Sequence, residues 1–322
     1  MTKKTLSILL FLLMFVLACA GFQSRRDQYF AQPFELSPAM IAALSPYAPV
    51  IQQPQPEIQP EIAYVISYYH DFFEELPAQI EMVLQPINPA HDTTFQWRNL
   101  GFALPEREKL TFSVQWRFLT VGTATLEIRG FEYMHGRRAY HIYSSARSAP
   151  FFDRIFRVRN TSQSWIDAES ISSLRFWSQI SEGGEETEER IDFNQIDNFF
   201  LLYYNGAKSK GVTVPWVQDV LSALYYLRTK DFQVGSEIVI DAHSGYRTWP
   251  LTINVIRRET VRVPAGTFET FMVEPALRDG AGIFRAQGRL QIWMTADERK
   301  IPVLMRSRIS VGAITVSLTN IE

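Results

Sequence analysis

Few side chains in this sequence are typed and spaced for chemistry. The five histidines, His70, His91, His135, His141 and His243, show neither an HExxH pattern nor zinc-ligand spacing, so no metal site is assigned to them. His243 precedes Ser244 and Gly245, but neighbouring strand residues face opposite ways and there is no G-x-S-x-G elbow, so this stretch reads as loop. Glu182, Glu185, Glu186, Glu188 and Glu189 crowd around Gly183 and Gly184; such carboxylates suit a hard cation, yet the calcium-loop spacing is absent and a solvated hairpin tip is the simpler reading. Arg154, Arg157 and Arg159 alternate with Ile155, Phe156 and Val158, which would set two of them on one strand face, against anionic head groups or solvent. One grouping is kept as a ligand-binding candidate. Asp219 with Arg228 or a strand arginine, beside Trp116, Trp216 and Tyr225, would be a polar pair next to an aromatic-lined cavity, with a structural ion pair as the plain alternative. No catalytic residue and no cofactor follows from these patterns.

Where these groups work is set by the first twenty residues. Lys3 and Lys4 lead into an apolar run, Leu6 to Leu17, too short to span a bilayer comfortably. It ends in Val16-Leu17-Ala18-Cys19, similar to the lipobox of bacterial lipoproteins, and Cys19 is the single cysteine of the chain. Residues 1–18 are therefore expected to be a signal peptide, with Cys19 lipidated as the mature N-terminus. The alternative is cleavage after Ala20, which would release a soluble periplasmic or secreted protein. By resemblance to Gram-negative lipoproteins, the absence of aspartate at position 20 points to the outer membrane, with the protein facing the periplasm.

Composition is that of an ordinary folded protein, 46% hydrophobic and 20% charged, and one cysteine allows no internal disulfide. A balance of 32 basic against 34 acidic residues argues against a nucleic-acid partner. Residues 19–60 are rich in Pro and Gln and read as a linker. Residues 61–105 begin with a short helix, Glu61 to Leu76, whose apolar residues fall at 3–4 spacing, and continue irregularly. From 106 to 322 the period changes to two. Leu110 to Trp116 and Ala124 to Ile128 alternate, with a turn assigned to Val121-Gly122, and further short strands follow to Leu318, Trp249 to Arg258 and Glu259 to Val263 among them, with a charged tight turn over Asp297 to Lys300 and Pro302 marking the next strand as an edge or its start. One segment departs from this pattern: Trp216 to Arg228 is an amphipathic helix, with Thr213 as its expected N-cap and Pro215 in its first turn. The expected fold is mainly β, a curved antiparallel sheet, half-barrel or sandwich-like, covered by one helix around 214–228, with a mostly irregular N-terminal extension.

Four motifs, Glu108 to Trp116 with Val121 to Thr125, Val217 to Arg228, Val263 to Thr270, and Ile292 to Val303, occur in an order similar to the bacterial domain-of-unknown-function family 3108, over residues 106–320. That resemblance implies an exported β-rich envelope protein and brings no activity with it. The layout is also similar to lipoprotein-carrier half-barrels, in which a sheet and a helix enclose an apolar groove. The functional expectation is a non-catalytic, membrane-anchored envelope lipoprotein that binds a lipid-like ligand or an envelope protein in a sheet groove. A scaffold lipoprotein and an envelope hydrolase are the alternatives.

Overall fold

The computed structural model describes residues 96–277, 290–309 and 312–322. The lipobox, the linker and the expected helix over 61–76 lie outside them. Residues 96–107 form neither helix nor strand. Among the described residues, fourteen strands form one antiparallel sheet. They are β1 (Glu108–Trp116), β2 (Leu119–Met134), β3 (Arg137–Ser148), β4 (Val158–Asp167), β5 (Ser173–Glu182), β6 (Glu185–Asn194), β7 (Phe199–Tyr204), β8 (Ala207–Val212), β9 (Glu237–Ser244), β10 (Arg247–Val263), β11 (Gly266–Leu277), β12 (Leu290–Thr295), β13 (Pro302–Ile309) and β14 (Gly312–Ile321). Two helices interrupt them, α1 (Pro150–Asp153) and α2 (Val220–Arg228). The spatial order runs from β8 back to β1, then β14 down to β9, so every neighbour is a hairpin partner except β1 and β14, the first strand and the last.

Strict alternation explains the burial. Leu110, Phe112 and Val114 of β1, Leu126 and Ile128 of β2, and Ile314, Val316 and Leu318 of β14 point one way and join a single core with Leu221, Tyr225 and Leu227 of α2. The sheet is not closed by a ladder, since β8 and β9 are its two edges. Residues 216–218 lie between its two halves: the Ser173 amide donates to the Val217 carbonyl (3.1 Å), the Gln218 amide to Asp241 (2.8 Å), and the His243 amide to Gln218 (2.7 Å).

Three local expectations need correction. The helix begins at Val220, because Asp219 rather than Thr213 caps it, and residues 213–219 are spent on pairing. The first hairpin turns at Arg117 and Phe118, with Arg117 in the left-handed region (φ 56°), instead of at Gly122. Gly122 sits inside β2, where a Cβ would run into the Arg147 carbonyl of β3, so it is a close-approach glycine. The expected strands Trp249 to Arg258 and Glu259 to Val263 are one strand, β10, with a register shift between Val255 and Arg257. The charged turn over Asp297 to Lys300 and the strand starting at Pro302 are where the sequence places them.

Candidate functional site

The helix α2 positions three of the expected site residues, and all three are sealed in protein. Asp219 is 1% exposed. One carboxylate oxygen accepts from the Leu221 and Ser222 amides (2.8 and 2.9 Å), and the other from the Ser164 and Ser173 hydroxyls (2.6 and 2.5 Å). Burial pushes its pKa up, and the four donors oppose that shift. Nine residues further on, about 13 Å along the axis at 1.5 Å per residue, Arg228 makes a two-pronged pair with Glu108 (2.6 and 2.9 Å) and donates through Nε to the Arg299 carbonyl (2.9 Å). The Asp219–Arg228 pair therefore does not form; a cap and an ion pair stand in its place. Tyr225 is fully buried, its hydroxyl has no hydrogen-bond partner among the described residues, and burial drives its pKa upward. Trp116 ends β1, half-buried against the core, with Arg117 at 5.6 Å from its ring. Trp216 lies just before the helix in a left-handed conformation (φ 61°), edge-on to Trp97 at 5.7 Å and with Arg98 at 5.0 Å. The five residues are not brought to one place.

A different set of side chains converges. Across β2 to β7 the core-facing residues fall in register rows, and one row reads Leu126, Ser144, Ser162, Ser178, Glu189, Tyr204. Beside it toward α2 runs Ile128, Ile142, Ser164, Phe176, Ile191, Leu202, and on the other side Ala124, Ala146, Asn160, Ile180, Thr187. Ser144, Ser162 and Ser178 are no more than 2% exposed, and Glu189 is 7% exposed. In β1 and β14 the positions in register with the serine row and with the row beyond it carry Leu110, Phe112, Leu318 and Ile321, and the row toward α2 ends in β1 at Glu108. Small hydroxyls and a carboxylate thus replace branched hydrocarbon on one half of the inner face, and toward the helix the surface becomes apolar. Ser144 Oγ donates to the Thr125 carbonyl (3.2 Å), and Asn160 donates to Glu182 (2.7 Å), whose pKa burial raises. Such a surface offers donors and acceptors to a polar group, and hydrocarbon to whatever is joined to it.

The remaining candidates are placed elsewhere. His141, on the opposite face to Ile142, meets Glu132 and Gln163 (both 2.8 Å) and stacks on Trp165 at 4.8 Å. His135 is 3.9 Å from Asp192, and burial lowers its pKa. His243, expected in a loop, is a buried residue of β9 packed on Phe193 and Phe200. Of the glutamate cluster, Glu182, Glu185 and Glu186 lie at a hairpin tip that turns through Gly183 and Gly184, whereas Glu189 is buried on the inner face of β6.

The family profile described as a protein of unknown function, DUF3108, matches residues 111–319. The chain belongs to the DUF3108 family. Among solved structures, this DUF3108 chain is similar to a β-barrel-like protein of the unknown-function domain DUF1849 from Brucella abortus, at 11% identity and a TM-score of 0.48, covering 69% of this chain and 99% of that one. An exported protein with a YmcC-like fold from Bacteroides fragilis matches at 11% identity and a TM-score of 0.30, covering 69% and 98%. A lipoprotein from Parabacteroides distasonis matches at 9% identity and a TM-score of 0.28, covering 70% and 100%. A comparison with the curated proteins finds no match.

The serine row of this DUF3108 domain escapes a reading by residue type, because serines in isolation suggest turns. Its signal is the period: Ser144, Ala146 and Ser148 in β3, and Asn160, Ser162 and Ser164 in β4, occupy alternate positions that face the core.

Proposed function

We propose that the chain is a non-catalytic envelope lipoprotein, anchored through Cys19 in the outer membrane, whose sheet holds an amphiphilic molecule against the inner face of β2 to β7. The observation that supports this reading is the row of Ser144, Ser162, Ser178 and Glu189 next to the row of Ile128, Ile142, Phe176, Ile191 and Leu202. Hydroxyls and a carboxylate set beside hydrocarbon on one face match the two ends of an amphiphile, a polar head against the serines and a chain along the isoleucines. The lipid anchor would hold the domain where amphiphiles are abundant, since two or more acyl chains give stable attachment.

The test is purification of the full chain from bacterial membranes in mild detergent, followed by mass spectrometry of the intact protein and of its organic extract. The reading expects an acylated Cys19 and an amphiphile near one per chain. In the Ser162→Leu/Ser178→Leu variant the occupancy is expected to fall at least tenfold, with the circular dichroism unchanged, because two leucines take up the space and remove the hydroxyls. An acylated chain with an empty extract would remove the ligand and leave a scaffold. A mature chain beginning at Gly21 would remove the anchor.

A further inference from the structure

Large apolar side chains gather at one rim of the sheet, the end where β1 turns into β2 and β3 leads into β4. Phe118 is 82% exposed at the hairpin turn and Leu119 43%; across from them Phe151 in α1 is 71% exposed and Ile155 59%. The Ala149 amide donates to the Val121 carbonyl (2.8 Å), so the β1–β2 turn and the α1 segment continue side by side, about one strand spacing of 4.8 Å apart. Single exposed apolar residues are ordinary, whereas several on one rim mark an interaction surface.

The segment that carries Phe151 and Ile155 is held in place. The Ser148 hydroxyl donates to the Asp153 carboxylate and accepts from the Val158 amide (2.9 Å), and Arg159 grips both oxygens of Asp153 (3.0 and 2.6 Å). These contacts hold the Asp153 pKa down to about 2, with the Arg159 hydrogen bonds the largest cause. Phe156 packs against Gly183 at the neighbouring β5–β6 tip. One exposed phenylalanine and an isoleucine are thus presented outward by a braced loop, across from Phe118 on the β1–β2 turn.

Charge selects the occupant. Arg147, Arg154 and Arg157 are exposed around the apolar cluster, and the one acidic residue between them, Asp153, is taken up by Arg159. Of the other carboxylates nearby, Glu182 pairs across the ladder with Val158 and is held by Asn160 (2.7 Å), and Glu185 and Glu186 belong to the same β5–β6 tip. We propose that this rim docks the domain on an anionic bilayer, with Phe118, Phe151 and Ile155 entering the apolar boundary and Arg147, Arg154 and Arg157 meeting lipid phosphates. This contact is separate from the Cys19 anchor and needs no ligand on the inner face.

Because Cys19 is the single cysteine, the full chain carrying Cys19→Ser accepts one environment-sensitive fluorophore at Phe118→Cys, and in a second sample at Val234→Cys, an exposed residue on the turn before β9. The probes are phosphatidylcholine vesicles with and without 30% phosphatidylglycerol. The expected result is an emission rise of about threefold or more at position 118 on anionic vesicles, little change on phosphatidylcholine alone, and little change at position 234. Arg154→Glu/Arg157→Glu is expected to weaken the response at 118 by about tenfold or more, consistent with the contribution of each basic residue near a charged membrane. No change at 118, an equal rise at both positions, or an equal response to both vesicle types would each overturn the proposal. Attachment through the apolar N-terminal run alone would leave the 118 label unchanged and so count against it.

Discussion

Replacing Arg228 with methionine is expected to destabilise the domain by about 3–5 kcal/mol, the cost of stranding one partner of a buried pair. Arg228 is 1% exposed and Glu108 7% exposed, and their two hydrogen bonds, with the third from Nε to Arg299, tie the end of α2 to the start of β1 and to the β12–β13 turn. The substitution removes the cation and leaves the Glu108 carboxylate unpaired and largely out of reach of water. The double variant Glu108→Leu/Arg228→Met should recover most of the loss, because neither charge then has to be desolvated. Urea unfolding at constant m gives both numbers. A single variant that loses less than about 1 kcal/mol, or a double variant no more stable than the single, would show that the pair is not sealed as described.

The second large effect is expected from acid acting on His243. Its Nδ1 lies 2.8 Å from the Thr248 hydroxyl and its Nε2 3.0 Å from the Gly245 carbonyl, an arrangement that suits a neutral ring protonated at Nε2. Thr248 in turn meets Thr213, beyond β8, at 2.8 Å, so the ring sits in the network that links the two edges of the sheet. Burial lowers its pKa from 6.5 to about 4. The unfolded chain therefore takes up the proton first. Stability is full above about pH 6.5, falls as the pH drops toward 4, and loses about 3 kcal/mol over that window at 1.36 kcal/mol per unit. Asp219 and Glu182, whose pKa values are raised, act in the opposite sense and favour folding as acid is added. The comparison of the parent with His243→Gln isolates the histidine. The parent should lose stability between pH 6.5 and 4 more steeply than the variant, and parallel curves would contradict the assignment.

The strands were legible because alternation with period two survives without any knowledge of partners. Where a strand lacks that alternation it escapes notice: β8, Ala207–Val212, is a mostly exposed edge with two lysines and no apolar face. Gly122 is informative in sequence but ambiguous in role, since a turn and a close strand contact both require glycine, and only the pairing with β3 decides between them. The start of α2 was misplaced because Thr213 and Asp219 are both acceptable caps, and the segment between them is committed to backbone pairs with distant strands. Arg228 was set against Asp219 on local spacing, whereas its partner Glu108 lies 120 positions upstream, beyond the reach of such spacing. The serine row is the same case on a larger scale, because it exists only as a relation among six strands.

An amphiphile held on the inner face would meet one side of β4 and not the other, and adjacent residues of that strand distinguish the two. Ser162 faces the core row and Gln163 the opposite side. A photoreactive residue introduced at 162, and in a second sample at 163, would be activated in cells and the purified full chain weighed. The account predicts an adduct of an organic-soluble, lipid-sized molecule at 162 and none at 163. An adduct at 163, or no adduct at 162 in a folded chain, would contradict it.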